Sequence, residues 1–277
     1  TQFPRVETLI MESTYGGLDN TTPDREETEA AFVDIANKTL AKGKLLIPVP
    51  AVGRAQVIMM VINKYMKEGK MTEAPVYIEG MISEVTGIHT AYPQYLSNDV
   101  RDQILRDGIN PFESDYFTVV KQQDKRDEIV NGGPAIIMAT AGMMEGGPVI
   151  DYFKRLAPDE NNALCFVSYQ VAGTMGQRVQ SGMGSAQLYG QNGKMEIINV
   201  AMKNYTVEGF SGHSDWRQLV NYVRRLHPQP KRVFVIHGEE SKCENLSHVI
   251  SKQRGIYGVA PENLDTFERI LAQLNVI

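Results

Sequence analysis

Short, uninterrupted apolar runs separated by amphipathic stretches restrict what this chain can fold into more than any other feature of its sequence. Leu-Leu-Ile-Pro-Val (45–49), Ala-Ile-Ile-Met (135–138) and Leu-Cys-Phe-Val (164–167) contain no polar alternation. A strand wet on one face alternates, whereas one buried on both faces reads as a continuous run, as in a parallel sheet with helices on each side. Further runs lie at 6–11, 76–78 and 116–120. Helical patterns fill the gaps. One is opened by Thr22-Pro23 and closed by Lys42-Gly43: a cap oxygen, a proline suited to the first helical position, and a glycine for a left-handed exit. Others follow Pro50-Ala-Val-Gly-Arg54, end near Val130, and run from about Asp151 to Leu156. The expectation is α/β, a doubly wound, mostly parallel sheet.

Near residue 185 the texture changes. Short strand-like pieces at 187–189, 193–198 and 202–207 surround Gln191-Asn-Gly193, a hairpin signal. The α/β rhythm then returns, with a strand at 207–210, a helix from Trp216 to Leu226, a strand from Arg232 to Ile236 and a helix from about Asn245. The first and last stretches are compatible with one domain interrupted by the middle. With 277 residues, 42% of them hydrophobic, the chain can fill two compact units.

A formal charge of −5 argues against indiscriminate nucleic-acid binding, though it leaves room for a local basic groove. No apolar run reaches the roughly 20 residues of a membrane span, and no basic-then-apolar leader opens the chain. Cys165, inside an apolar run, reads as a buried spectator, and Cys243 as a surface thiol. A cytoplasmic setting and no membrane partner are expected.

Three residues stand out as chemistry. Glu12 directly follows the first apolar run, His213 lies in Phe-Ser-Gly-His-Ser-Asp (210–215), and His237 follows Val-Phe-Val-Ile (233–236). Each is expected at the carboxyl end of a strand, the edge where ligands bind in open α/β sheets. If the strands flanking the 216–226 helix are parallel, the right-handed crossover rule puts both histidines on one edge. An imidazole exchanges protons near neutral pH, a neighbouring carboxylate fixes its tautomer, and a second imidazole is a common metal ligand. A single polar residue capping a strand is usually structural; three in Gly- and Ser-rich turns are harder to explain so.

Other features are weaker. Ser211, His213 and Asp215 are too close in sequence for triad geometry, and Ser214 or Asp215 suits the cap of the next helix. The glycine turns at 142–147 and 173–176 serve either phosphate binding or simple turns, and neither matches a P-loop or dinucleotide fingerprint. Arg54 and Arg178 are candidate phosphate contacts. His89 suits a structural hydrogen bond, and His227 and His248 a surface position. No His-x-His or His-x-x-x-His cluster exists, so His237 cannot hold a catalytic metal alone.

Taken together, Glu-Ser-Thr-Tyr-Gly (12–16), Phe-Ser-Gly-His-Ser-Asp (210–215) and Val-Ile-His-Gly-Glu (235–239) resemble motifs A, B and C of the β-CASP family of metallo-β-lactamase-fold ribonucleases. Pro-Ala-Val-Gly-Arg-Ala-Gln (50–56), Ala-Thr-Ala-Gly-Met (139–143) and Tyr-Gln-Val-Ala-Gly-Thr-Met-Gly (169–176) extend the likeness. Ile-His-Thr-Ala-Tyr-Pro-Gln-Tyr-Leu-Ser (88–97) and Pro-Glu-Asn-Leu-Asp-Thr (261–266) are similar to the archaeal cleavage and polyadenylation specificity factor homologues.

The resemblance implies a β-CASP domain at 17–210, inserted into a partial metallo-β-lactamase αββα domain at 1–16 and 211–277. It also implies a zinc-dependent endoribonuclease, with possible 5′→3′ exonuclease action, cleaving single-stranded RNA in 3′-end processing or transcription termination. Carried over, His213 is the general acid, Glu12 its orienting partner and His237 a ligand of one of two zinc ions. Arg54, Thr140, Gly142, Gln170 and Arg178 are candidate RNA-phosphate contacts. The family's His-x-His-x-Asp-His cluster and its KH domains would belong to sequence before Thr1, so this stretch alone is expected to be inactive and to bind zinc weakly. A homodimer through the C-terminal segment is implied as well. The rival readings are a non-catalytic RNA-binding scaffold and, less favoured, an enzyme using a small nucleotide.

Overall fold

The structure, a computed structural model, describes residues 5–18, 20–190 and 193–267. In chain order, β1 (Thr8–Glu12), α1 (Arg25–Leu40), β2 (Leu45–Pro48), α2 (Arg54–Lys67), β3 (Val76–Glu79), α3 (Ile82–Ala91) and α4 (Asn98–Leu105) come first. Next are β4 (Phe117–Val119), α5 (Lys125–Asn131), β5 (Ile136–Ala139), α6 (Pro148–Leu156), β6 (Ala163–Phe166) and α7 (Met175–Gln180). A hairpin, β7 (Ser185–Tyr189) and β8 (Met195–Asn199), precedes β9 (Lys203–Thr206), α8 (Trp216–Arg225), β10 (Arg232–Ile236), α9 (Glu240–Ser251) and β11 (Tyr257–Val259). Two compact units result: Pro23–Gly212, and Thr1–Thr22 with His213–Ile277. No helix among the described residues is long and apolar enough to cross a membrane.

The Pro23–Gly212 unit holds a parallel sheet of order β4-β3-β5-β2-β6-β9. Its central strands β2, β5 and β6 are buried at every position. Side-chain alternation divides them between two cores. Leu45, Ile47, Ile136 and Met138 pack with Phe32 of α1 and Ile58 and Ile62 of α2. Leu46, Ile137, Leu164 and Phe166 pack with Tyr152 and Phe153 of α6 and Val179 of α7. Neighbouring β2 and β5 therefore send their next helices to opposite faces. Open α/β sheets bind ligands at the carboxyl ends of the strands where such a reversal falls. Cys165 is fully buried and its thiol is pushed up to about 12 by loss of solvation, which makes it inert.

Three details differ from the sequence expectation. Helix α1 is capped by Asp24, whose carboxylate accepts from the Glu26 N–H at 2.9 Å, so Thr22-Pro23 lies outside it. The expected 202–207 piece is β9, the sixth strand of the large sheet rather than a partner of the hairpin. No strand forms at 207–210; Val207 and Phe210 are apolar because they are buried, with Phe210 edge-on to Phe32 at 5.8 Å. The hairpin itself forms, Tyr189 pairing with Met195, while Gln191 and Asn192 of its turn lie outside the described residues.

The other unit is a parallel sheet of order β1-β10-β11. Met11, Val233 and Val235 face Leu219, Val220 and Val223 of α8 and Leu246 and Ile250 of α9. Asp215 caps α8, its carboxylate accepting from Gln218 N–H while the Gln218 side chain accepts from Asp215 N–H, a capping box. The alternate positions stand on the opposite face: Ile10, Ile236 and Tyr257 are 64%, 42% and 62% exposed.

Candidate active site

Parallel pairing sets Glu12 beside Ile236, so β1 and β10 end together and deliver Glu12 and His237 to one edge. The strand after-segments are tied across this edge. Ser13 Oγ donates to Ile236 O at 2.9 Å, and Ser13 N–H to His237 O at 3.4 Å. His237 takes φ +56°, the left-handed region that costs a non-glycine residue about 1–2 kcal/mol. Gly238 follows because its neighbour leaves no room: a Cβ there would lie 2.5 Å from Ser13 Oγ and 2.6 Å from Ser13 O. Gly238→Ala is expected to destabilise this unit by about 1–3 kcal/mol, the usual cost of overpacking, read from its urea midpoint.

His213 arrives from the turn before α8. This corrects the expectation that it ends a strand; the crossover argument consequently does not apply to it. Its Nδ1 lies 3.3 Å from Glu12 Oε2. Glu12 is itself aimed by two backbone donors, Thr14 N–H to Oε2 at 2.8 Å and Ser214 N–H to Oε1 at 3.3 Å. The two imidazole rings stand 5.4 Å apart, tilted by 30°, and Tyr15 meets His213 edge-on at 6.4 Å. One ligand atom from each of Glu12, His213 and His237 lies within 4.8 Å of the others, the one such group among the described residues. A carboxylate and two imidazoles, partly open to solvent, are donors suited to zinc and to proton transfer alike.

Sequence reasoning missed Thr14. It is buried, and its hydroxyl lies 3.3 Å from His213 Nδ1, 3.2 Å from His237 Nδ1 and 3.2 Å from His237 O. The only available signal was a hydroxyl residue immediately after a strand-end acid. Cys243, expected at the surface, is half-buried with its sulfur 3.0 Å from Ser13 Oγ. Asp215 is buried, and besides capping α8 it accepts from Thr22 N–H at 3.4 Å. His89 Nδ1 lies 2.8 Å from Val85 O, and His227 and His248 are exposed.

The remaining candidates belong to the Pro23–Gly212 unit, where the loops after β2, β5 and β6 interlock. A Cβ on Gly142 would sit 2.6 Å from Pro50 Cδ. Gln170 is buried and donates its amide to Gly142 O at 3.0 Å and Ser168 O at 3.2 Å. Gly176 N–H reaches Met143 O at 3.0 Å, and Met175 N–H reaches Glu145 Oε1 at 2.5 Å. Thr140 begins the β5 loop, and Arg54 opens α2 behind a left-handed Gly53. Arg178 is exposed on α7. Thr140, Gly142 and Gln170 thus share one loop cluster, whereas Arg54 and Arg178 project from helices at its margins.

Residues 55–179 match the Beta-Casp domain family, and residues 197–261 match the family described as the Zn-dependent metallo-hydrolase RNA specificity domain. The chain belongs to the β-CASP family of the metallo-β-lactamase fold. It is similar to archaeal proteins named transcription termination factor FttA. It is 50% identical over 267 residues to that of Thermococcus kodakarensis, which covers 96% of this chain and 41% of the relative. Against the Cenarchaeum symbiosum protein the identity is 52% over 252 residues, 90% of this chain and 39% of the relative. The Lokiarchaeum protein is 48% identical over 265 residues, 95% of this chain and 42% of the relative. The chain therefore spans about two fifths of the length of these relatives.

Proposed function

We propose that this chain is part of a longer zinc-dependent ribonuclease that cleaves single-stranded RNA in transcription termination or 3′-end processing. The observation that supports it most is the convergence of Glu12, His213 and His237 donor atoms within 4.8 Å. Their types fit zinc, and His237 is the residue we assign to hold it. When bound, a pair of zinc ions supplies positive charge that stabilises the attacking and leaving oxygens of a phosphodiester.

His213 has its Nδ1 turned to Glu12, so the proton it can deliver to a leaving oxygen sits on Nε2. Glu12, held by two N–H groups, keeps that ring oriented. Arg54, Thr140, Gly142 and Arg178 would contact RNA phosphates, with Gln170 holding the Gly142 loop from behind. The other metal ligands are assigned to a further segment of the longer protein. Among the described residues Ile10, Ile236 and Tyr257 stand exposed on the face where Phe267 meets Phe234 at 5.0 Å, which supports such a segment, since parallel sheets are ordinarily covered on both faces. The homodimer is kept as part of this reading; residues 268–277 of its proposed C-terminal contact lie outside the described residues.

The reading is tested by metal and cleavage analysis of this chain beside the longer protein. After dialysis the chain should retain well under one zinc and leave single-stranded RNA intact, whereas the longer protein should hold zinc and cleave. Two tightly bound zincs or brisk cleavage by the chain alone would contradict the division of ligands. A longer protein that binds RNA without cutting it would favour the scaffold.

A further inference from the structure

We infer that Thr14 is a positioning residue that sets the tautomer of His237 and seconds that of His213, so that both rings present Nε2 to the reaction. The inference rests on the functional reading above only for what Nε2 is used for. Its basis is a count of protons. A threonine hydroxyl has one hydrogen to give and two lone pairs. Thr14 Oγ1 has three polar neighbours: His237 O at 3.2 Å, His237 Nδ1 at 3.2 Å and His213 Nδ1 at 3.3 Å.

The carbonyl of His237, which also takes the Ser13 N–H at 3.4 Å, can only accept, and the hydroxyl hydrogen is assigned to it. The two lone pairs then face the two Nδ1 atoms, which in that arrangement both carry hydrogen. His213 reaches the same answer independently, because its Nδ1 also faces the acceptor-only carboxylate of Glu12 at 3.3 Å. Both imidazoles are left with a bare Nε2 in their neutral forms. For His237 that nitrogen is the lone pair a metal needs; for His213 it is the position that carries and releases a proton. The same side chain also pins the left-handed His237 backbone through its carbonyl, while the Thr14 N–H aims Glu12 at 2.8 Å. A ligand, an acid and its orienting carboxylate thus share one buried residue.

The test is nitrogen-15 NMR of the histidine side chains in the metal-free chain, at a pH where the imidazoles are neutral. Wild type should show Nδ1–H for both His213 and His237. Thr14→Val removes the hydroxyl at nearly constant volume; His237 should lose its single tautomer while His213, still facing Glu12, keeps Nδ1–H. Thr14→Ser should restore the wild-type pattern. In the longer protein, Thr14→Val should weaken zinc binding about 10–100-fold, the range for residues that orient a ligand. An Nε2–H tautomer at His237 in wild type, an unchanged His237 in Thr14→Val, or a Ser variant behaving like Val overturns the inference. If the Val variant does not fold, the wild-type tautomers alone still decide. Because these spectra need neither metal nor RNA, they can fail while cleavage and zinc binding are found, and can succeed where those are absent.

Discussion

His213→Ala in the longer protein should lower RNA cleavage about 10²–10⁴-fold, the contribution of a positioned general acid, while zinc content stays nearly constant. The geometry separates the two outcomes. Removing the His213 ring leaves Glu12 held by the N–H groups of Thr14 and Ser214. It leaves His237 tied to Ser13 and Thr14. His237→Ala should instead reduce bound zinc, and cleavage with it. A substrate whose leaving group needs no proton sharpens the comparison: it should recover much of the rate with His213→Ala and little with His237→Ala. Since all three donors lie within 4.8 Å, the competing assignment is that His213 is also a ligand. Equal loss of zinc in both variants would establish that assignment and remove the acid role.

The largest stability effect should come from Glu79, which pairs with Ala139 across the sheet. It ends β3 and is buried, and its two oxygens accept from Arg126 Nε at 2.9 and 3.2 Å. Arg126 Nη2 also reaches Oε1, and the Tyr152 hydroxyl donates to Oε2 at 2.7 Å. Arg126 and Arg155 then share Asp151, at 3.4 and 3.2 Å. Burial first, and the bond to Glu79 second, push the Tyr152 phenol up, so it remains a donor throughout the working pH range. Glu79→Ala leaves the buried Tyr152 hydroxyl without its acceptor and the Arg126 guanidinium with Asp151 alone. The expected cost is about 3–5 kcal/mol, as for breaking one side of a buried ion pair. Tyr152→Phe, which removes a single donor, should cost only about 1–3 kcal/mol. Urea unfolding of both variants checks the ratio, and a Glu79→Ala loss no greater than that of Tyr152→Phe would mean that water replaces the carboxylate.

What could be read from the sequence followed how local its cause is. Strands β2, β5 and β6 were legible because burial on both faces writes itself as an unbroken apolar run. Glu12 and His237 were legible because each stands next to such a strand. The run at 207–210 misled for the same reason: Val207 and Phe210 are apolar to fill a core, and nothing local distinguishes that from a ladder. With that strand went the expected position of His213. The start of α1 was read at Thr22-Pro23, whereas Asp24 caps the helix and Thr22 N–H instead donates to Asp215, 193 positions away. Thr14 was invisible as a hub because its partners lie 199 and 223 positions away.

The pairing of β1 with β10 also sets a timetable. Ser13 and Ile236 are bonded across 223 positions, so on the ribosome the first strand waits roughly 10–45 s for its neighbour at ordinary elongation rates. Closing so long an open loop would cost about 3 kcal/mol more than closing one of ten residues. The intervening unit removes much of that penalty if it folds first, because Thr28 Oγ1 donates to Glu208 O at 3.2 Å and so joins its two ends. The edge that carries Glu12 and His237 then assembles only after the intervening unit. An unfinished or misfolded insert leaves Glu12 on a strand whose neighbour β10 has not arrived, so the Glu12, His213 and His237 group cannot form until His237 has been made.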